Sequence, residues 1–196
     1  RSPSRGLGDV YKRQAVESLF PYDAASADAV AVELRNHDLQ QVLVNAPPGD
    51  WANGDRGIGG IASREAEHEA SVSRAMAYAK TIGCPRIHVL AGLKAQGATE
   101  DTFIARLRAL APVAEVSGIR LCVEALNSHD VPDYLIPTQE DAARIVDAVG
   151  HPGCGLQFDL YHLQMMKGVW PNESVREAIK KFGPIAAHVQ IAGNGQ

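Results

Sequence analysis

IRLCVEALNSHDVPDYLIPTQEDAARIVDAVGHPGCGLQFD, residues 119–159, contains one complete unit of the fold. Ile119–Glu124 is a short apolar run that reads as a strand. A loop of Asn, Ser, His, Asp and Pro follows it. Thr138 with Asp141 then resembles a capping box, an Asp standing in for the usual Glu. Ala142, Ile145, Val146 and Val149 supply one helical face, and Gly150 ends the helix. Gly155–Phe158 is the next strand. A strand, a helix and a second strand joined in this way form a parallel βα unit.

The same alternation extends in both directions. Upstream, the strand Val16–Phe20 ends at Pro21, and Ser26 caps a helix carrying Ala27, Val30 and Leu34. Val42–Val44 is a strand, followed by a long Gly-, Pro- and Asn-rich loop from Asn45 to Gly60. A helix with Val72, Met76, Ala79 and Ile82 on one face stops at Gly83. The strand Ile87–Leu90 opens into the loop Ala91–Ala98. A helix from about Glu100 to Val116 aligns Phe103, Leu107, Leu110 and Ala114, and Pro112 should kink or shorten it. Downstream, Asn172 caps a helix with Val175, Ile179 and Phe182, and the strand Ile185–Ile191 follows. The pattern predicts six strands and five helices in strict alternation. An open doubly wound sheet is the main alternative to a barrel, but the glycine-rich phosphate turn G-x-G-x-x-G is absent. The α/β expectation is therefore a barrel.

Composition bounds the function. The chain has 196 residues, 45% hydrophobic and 21% charged, enough for one domain with a sizeable core. No apolar run approaches the roughly 20 residues that span a bilayer, and no signal peptide opens the chain. A cytoplasmic enzyme without a membrane partner is the plain expectation. A net charge of −4, a pI near 6.0 and the lack of a basic stripe argue against a nucleic-acid surface. Cys84, Cys122 and Cys154 form no C-x-x-C pair, so a zinc knuckle or disulfide framework is not expected. Residues 1–14 differ from the rest. Arg1, Arg5, Lys12 and Arg13 face only Asp9, with turn-formers Pro3, Gly6 and Gly8 and no strand or helix period. A basic arm contacting phosphates is one reading. We expect instead a non-native segment, leaving 15–196 as the barrel domain, because strand-like text begins abruptly at Ala15.

Three late strands end in a metal-capable side chain: Glu124 in LCVEALN, Asp159 in GLQFDLYH and Gln190 in AHVQIAGN. Each is the sixth residue counted from Ile119, Cys154 and Ile185, so a parallel barrel brings them together at its C-terminal mouth, where such barrels do their chemistry. Charge at the end of an apolar strand costs desolvation unless a cation or partner offsets it. Two carboxylates and an amide oxygen suit a hard divalent ion, Mg²⁺ or Mn²⁺. Taken singly, each could equally cap its strand or pair with a nearby Lys or Arg. His162, three residues past Asp159, reaches the same mouth or is a solvated loop residue. His188 and His88 read as satisfied interior histidines. Asn45, Asn127 and Asp130 are candidate substrate contacts at loop starts. Trp51 and Arg56 could form a lid over the mouth, in a loop long enough to suggest function.

Together, FPYD (20–23), NAPPGDWANGDRGI (45–58), VEALNSHDVP (123–132), QFDLYHLQMMKG (157–168) and AHVQIAGN (187–194) resemble the hydroxypyruvate isomerase family of xylose-isomerase-like barrels. The resemblance covers residues 15–196 in consistent order. It implies a (β/α)8 TIM barrel, of which six strands fall within this chain, and interconversion of hydroxypyruvate with tartronate semialdehyde. It implies that Glu124 is one of two catalytic glutamates and also a metal ligand. Asp159 and Gln190 match further ligand positions, and His162 matches a histidine that contacts substrate. Asp130 stands where some relatives carry Glu. The second catalytic glutamate would lie beyond Gln196 and the first strand before Ala15, so this polypeptide alone is expected to be poorly stable and inactive. The partner implied is a small 2-oxo or hydroxy acid, and a homo-oligomer of the intact protein stays open. The rivals are a 2-oxotetronate isomerase or related sugar isomerase or epimerase, a metal-dependent endonuclease or hydrolase of the same fold, and a non-catalytic barrel.

Overall fold

A computed structural model describes residues 14–168 and 172–192. The basic segment 1–14 lies outside the described residues except for Gln14, as do Gly193 and Asn194 of the last motif. Six parallel strands form one sheet in chain order: β1 (Ala15–Ser18), β2 (Gln40–Asn45), β3 (Arg86–His88), β4 (Arg120–Glu124), β5 (Cys154–Asp159) and β6 (Ala186–Gln190). Every strand joins the same growing edge. A doubly wound sheet would instead reverse direction at a switch point, so the order itself selects barrel winding. The sheet also curls. Glu17 on β1 reaches His188 and Gln190 on β6, and Arg86 Nε on β3 donates to the Ala187 carbonyl at 3.0 Å.

The α-helices among the described residues are α1 (Ala27–Asn36), α2 (Glu65–Ile82), α3 (Glu100–Val116), α4 (Gln139–Val149), α5 (Leu160–Lys167) and α6 (Glu173–Phe182). Their ends follow local chemistry. Ser26, Thr99, Thr138 and Asn172 each accept a first-turn backbone N–H, a cap contributing about 1 kcal/mol. Thr138 Oγ1 also donates to Asp141 Oδ2 at 2.6 Å, so this Asp completes its box through the cap hydroxyl. Gly83 (φ 70°) and Gly150 (φ 65°) close α2 and α4 in the left-handed region, where a Cβ is strained. The helices bury one face against the outer side of the sheet, with Val72, Ala75 and Ala79, Leu107 and Ala111, and Ile145 fully enclosed. Phe158 on β5 meets Phe182 on α6 with ring centroids 6.1 Å apart.

Two sequence expectations are corrected here. The helix α5 was not anticipated: it follows β5 with no spacer, and Asp159 serves both as the last strand residue and as the N-cap, accepting from Tyr161 N at 2.6 Å. Its side chains show no clear apolar period, and only Leu163 is buried. Pro112 does not shorten α3, which runs unbroken to Val116. Arg108 and Pro112 share the exposed face, where a carbonyl without an intrahelical donor meets water at low cost.

The loops over the C-terminal strand ends are tied together. Arg106 on α3 is buried, and its guanidinium donates to the carbonyls of Ile58, Gly59, Ile61 and Ala62 at 2.9–3.1 Å. Asp55 accepts from Arg64 Nη1 and Asp50 N, both at 2.6 Å. Gly59 lies where an added Cβ would fall 2.6 Å from Phe103, so only hydrogen fits. The long loop after β2 is thus a braced rim. Among the described residues no helix is long and apolar enough to cross a membrane.

Candidate active site

Strand alternation turns Glu17, Asn45, His88, Glu124, Gln157, Asp159 and Gln190 toward one cavity of about 280 Å³ at the C-terminal ends of the strands. Phe20, Trp51, Leu90 and Leu126 give it an apolar wall. The sheet register staggers the polar groups. Glu124 is level with Gln157, and Asp159 is level with Gln190, so the three expected residues share the cavity but not one layer.

In its wall, Glu124, Asp159 and His162 bring one ligand atom each within 4.8 Å of one another. His162 Nε2 lies 4.0 Å from Glu124 Oε1. Glu124 is buried, and desolvation, followed by the charge of Asp159, pushes its carboxyl well above the usual carboxylate range. Desolvation raises Asp159 too, against the hydrogen bond from Tyr161 N. Burial lowers His162, opposed by Asp159 and Asp130. His88 Nδ1 is 3.3 Å from Glu124 Oε2 but out of line for a hydrogen bond, and neither ring nitrogen has a partner among the described residues. Burial pushes His88 down to about 3, so its ring is neutral. The expectation of a satisfied interior histidine is corrected for His88.

That expectation does hold for His188, whose Nε2 is 2.6 Å from Glu17 Oε1. Gln190 is committed on both sides of its amide. Nε2 donates to Glu17 Oε2 at 2.5 Å, and Oε1 accepts from Gln157 Nε2 at 2.6 Å. Burial raises the Glu17 carboxyl, but the hydrogen bonds from His188 and Gln190 outweigh it and the net shift is downward. Gln190 therefore stands beside the Glu124 cluster with its oxygen turned to Gln157. It joins a ligand set only by exchanging that bond.

The candidate substrate contacts separate. Asn45 lines the cavity, and its carbonyl accepts from Tyr22 Oη at 2.6 Å. Asn127 is completely buried, is not among the cavity-lining residues and braces His162 instead. Loop starts near a mouth can turn inward as well as up, and here Asn127 faces His162. Arg56 lies over the Trp51 ring at 4.0 Å and donates to the Trp51 and Asp55 carbonyls, so Trp51, not Arg56, touches the cavity. Asp130 accepts from Tyr161 Oη and from Asn127 Nδ2. Glu17, Gln157 and His88 are cavity residues that the sequence reading missed. The available signal was a polar residue within an otherwise apolar strand, at the inward parity.

Two buried carboxylates share a cavity wall that contains no Lys or Arg among its described residues. Their repulsion is costly unless one is protonated or a cation sits between them. The donor chemistry of Glu124 and Asp159, all hard oxygen, fits a divalent cation. The same pair, with its carboxyl pKa values raised, is suited to taking up and returning a proton.

The xylose isomerase-like TIM barrel family model matches residues 11–195. A 2-oxo-tetronate isomerase of Cupriavidus necator is 38% identical over 184 residues, covering 92% of this chain and 68% of that protein. The hydroxypyruvate isomerase of Escherichia coli is 34% identical, covering 92% of this chain and 69% of its own length. The crystal structure of an AP endonuclease, family 2, from Brucella melitensis superposes with a TM-score of 0.84 at 40% identity, covering 92% of this chain and 69% of that one. This chain thus spans about two thirds of the length of these relatives.

Proposed function

The chain belongs to the xylose isomerase-like TIM barrel family, and from that premise we propose that it is an aldose–ketose type isomerase interconverting hydroxypyruvate and tartronate semialdehyde. The observation that carries this reading is the buried Glu124–Asp159 pair facing a small cavity beside His162. Moving a carbonyl by one carbon removes a proton from the carbon beside it and returns one to the former carbonyl carbon. Glu124 is the residue assigned to carry that proton, its raised pKa making the carboxyl a competent acid as well as a base. His162 and Asn45 hold the substrate's oxygens, and Trp51 closes the mouth with Arg56 stacked behind it. Glu124 and Asp159, with Gln190 once freed from Gln157, would hold Mg²⁺ or Mn²⁺. That cation would supply positive charge against the negative charge that builds on the substrate's oxygens. The catalytic domain in this reading is residues 15–196. A cytoplasmic location belongs to the same proposal, supported by three free buried cysteines.

A second reading has its own support. The Cupriavidus necator relative is a 2-oxo-tetronate isomerase, and one extra carbon is a small demand on a cavity of about 280 Å³. An endonuclease is disfavoured by the cavity itself, which offers two histidines and no Lys or Arg among its described residues for a phosphate backbone. The deciding assay compares hydroxypyruvate, the four-carbon 2-oxo acid and abasic DNA with the full-length protein, which supplies the second glutamate that the family resemblance implies, in Mg²⁺ and Mn²⁺. Faster turnover of hydroxypyruvate, abolished in Glu124→Gln, is expected. A preference for the four-carbon acid moves the assignment to the second reading, and DNA incision overturns both.

A further inference from the structure

Asn127 is the third residue after the end of β4, and all of its polar atoms are committed. Its Oδ1 accepts two backbone N–H groups, from His129 at 3.0 Å and Asp130 at 2.9 Å. Backbone amides can only donate, so the side-chain oxygen must face them, and the orientation of the amide follows without ambiguity. The NH2 group then points the other way. One hydrogen goes to Asp130 Oδ2 at 2.9 Å, and the other faces His162 Nδ1 at 2.8 Å. The backbone N–H of Asn127 also reaches Nδ1, at 3.1 Å.

Two donors therefore converge on one ring atom of His162. A carbon there would strand both in a buried place, and a protonated nitrogen would oppose them hydrogen to hydrogen. Only a bare nitrogen satisfies them. In the neutral ring the proton then sits on Nε2, the nitrogen that faces Glu124 across 4.0 Å. That gap is too long for a direct hydrogen bond and wide enough for an oxygen atom between the two. His162 also borders the cavity.

We infer that Asn127 is a positioning residue that fixes His162 as the Nε2–H tautomer, making the ring a hydrogen-bond donor to a substrate carbonyl or hydroxyl oxygen and not a metal ligand. The substrate half of this statement rests on the isomerase reading, whereas the tautomer does not. Proximity alone groups His162 with Glu124 and Asp159 as three candidate ligands. The tautomer divides that group into two anionic ligands and one neutral donor. Tyr161 Oη, donating to Asp130 Oδ2 at 2.6 Å, extends the brace to the first turn of α5.

The test is nitrogen NMR of the ¹⁵N-histidine-labelled protein at pH 8, without substrate. The expected spectrum shows His162 with an unprotonated Nδ1 and a protonated Nε2, unchanged by saturating Mg²⁺. A proton on Nδ1, or loss of the Nε2 proton on adding Mg²⁺, overturns the proposal whatever the activity. Asn127→Asp replaces the facing NH2 by an acceptor and is expected to move the proton to Nδ1. With hydroxypyruvate it should lower kcat by about 10–100-fold, the usual cost of losing such an orienting partner, with a smaller change in KM. Tyr161→Phe leaves Asn127 in place and should keep the wild-type tautomer. If the tautomer is as stated and the full-length protein shows no isomerase turnover, the reaction assignment fails while the tautomer stands.

Discussion

Replacing Glu124 by Gln should make the protein more stable and less active, and the two effects share one cause. The substitution keeps the side chain's volume, so no cavity forms and the change is almost purely electrostatic. Glu124 and Asp159 hold ligand atoms within 4.8 Å of each other in a buried wall. Two unit charges at that distance repel by about 3 kcal/mol at an effective dielectric constant of about 20. The figure is a ceiling, because the pair can shed charge by taking up a proton. At about 2–4 °C per kcal/mol for a chain of this length, the metal-free variant should melt up to about 10 °C above wild type. The folded-state pKa of Glu124 lies above its unfolded value. Folding is therefore undisturbed below the unfolded pKa, and stability is lost as pH rises from there through the folded pKa. The gap between variant and wild type should thus be near zero at pH 4 and widest in mildly alkaline buffer. Mg²⁺ should reverse the order by stabilising wild type more, since it binds only the folded charged pair. Circular-dichroism melts at pH 4 and pH 8, with and without Mg²⁺, measure all of this. A Glu124→Gln protein that melts below wild type at pH 8 in chelator, with an equal response to Mg²⁺, would refute the reasoning.

Three further outcomes follow from the same geometry. Arg106→Met leaves four rim carbonyls without their buried donor and should cost about 3–5 kcal/mol, read as a lower urea midpoint; a loss below 1 kcal/mol would show that the clamp is redundant. Gly59→Val forces a side chain against Phe103 and should destabilise by about 1–3 kcal/mol in the same titration, whereas an unchanged midpoint would mean that the rim yields freely. Trp51→Ala removes the ring that borders the cavity beneath Arg56. It should raise KM for hydroxypyruvate about tenfold with kcat nearly unchanged, and a collapse of kcat alone would place Trp51 in the chemistry instead of the lid.

What the chain determined by itself was everything that short-range physics encodes. Among the described residues, six strands and five of the six α-helices were legible because their signals are local: caps at Ser26, Thr138 and Asn172, stops at Gly83 and Gly150, and apolar residues at helical or strand spacing. α5 escaped because it starts on the residue that ends β5 and buries only Leu163. Glu124, Asp159 and Gln190 could be named as rim residues because each closes an apolar strand, although the register sets Glu124 one layer below the other two. Which of them face each other could not be named. Glu17 holds Gln190 from 173 residues away, Gln157 takes its oxygen, and Asn127 turns from the cavity to orient His162. Those pairings arise from the curl and stagger of the sheet, which set side chains from distant strands at contact distance. A linear pattern carries depth and parity along each strand, but the angle at which strands meet exists only once they have packed.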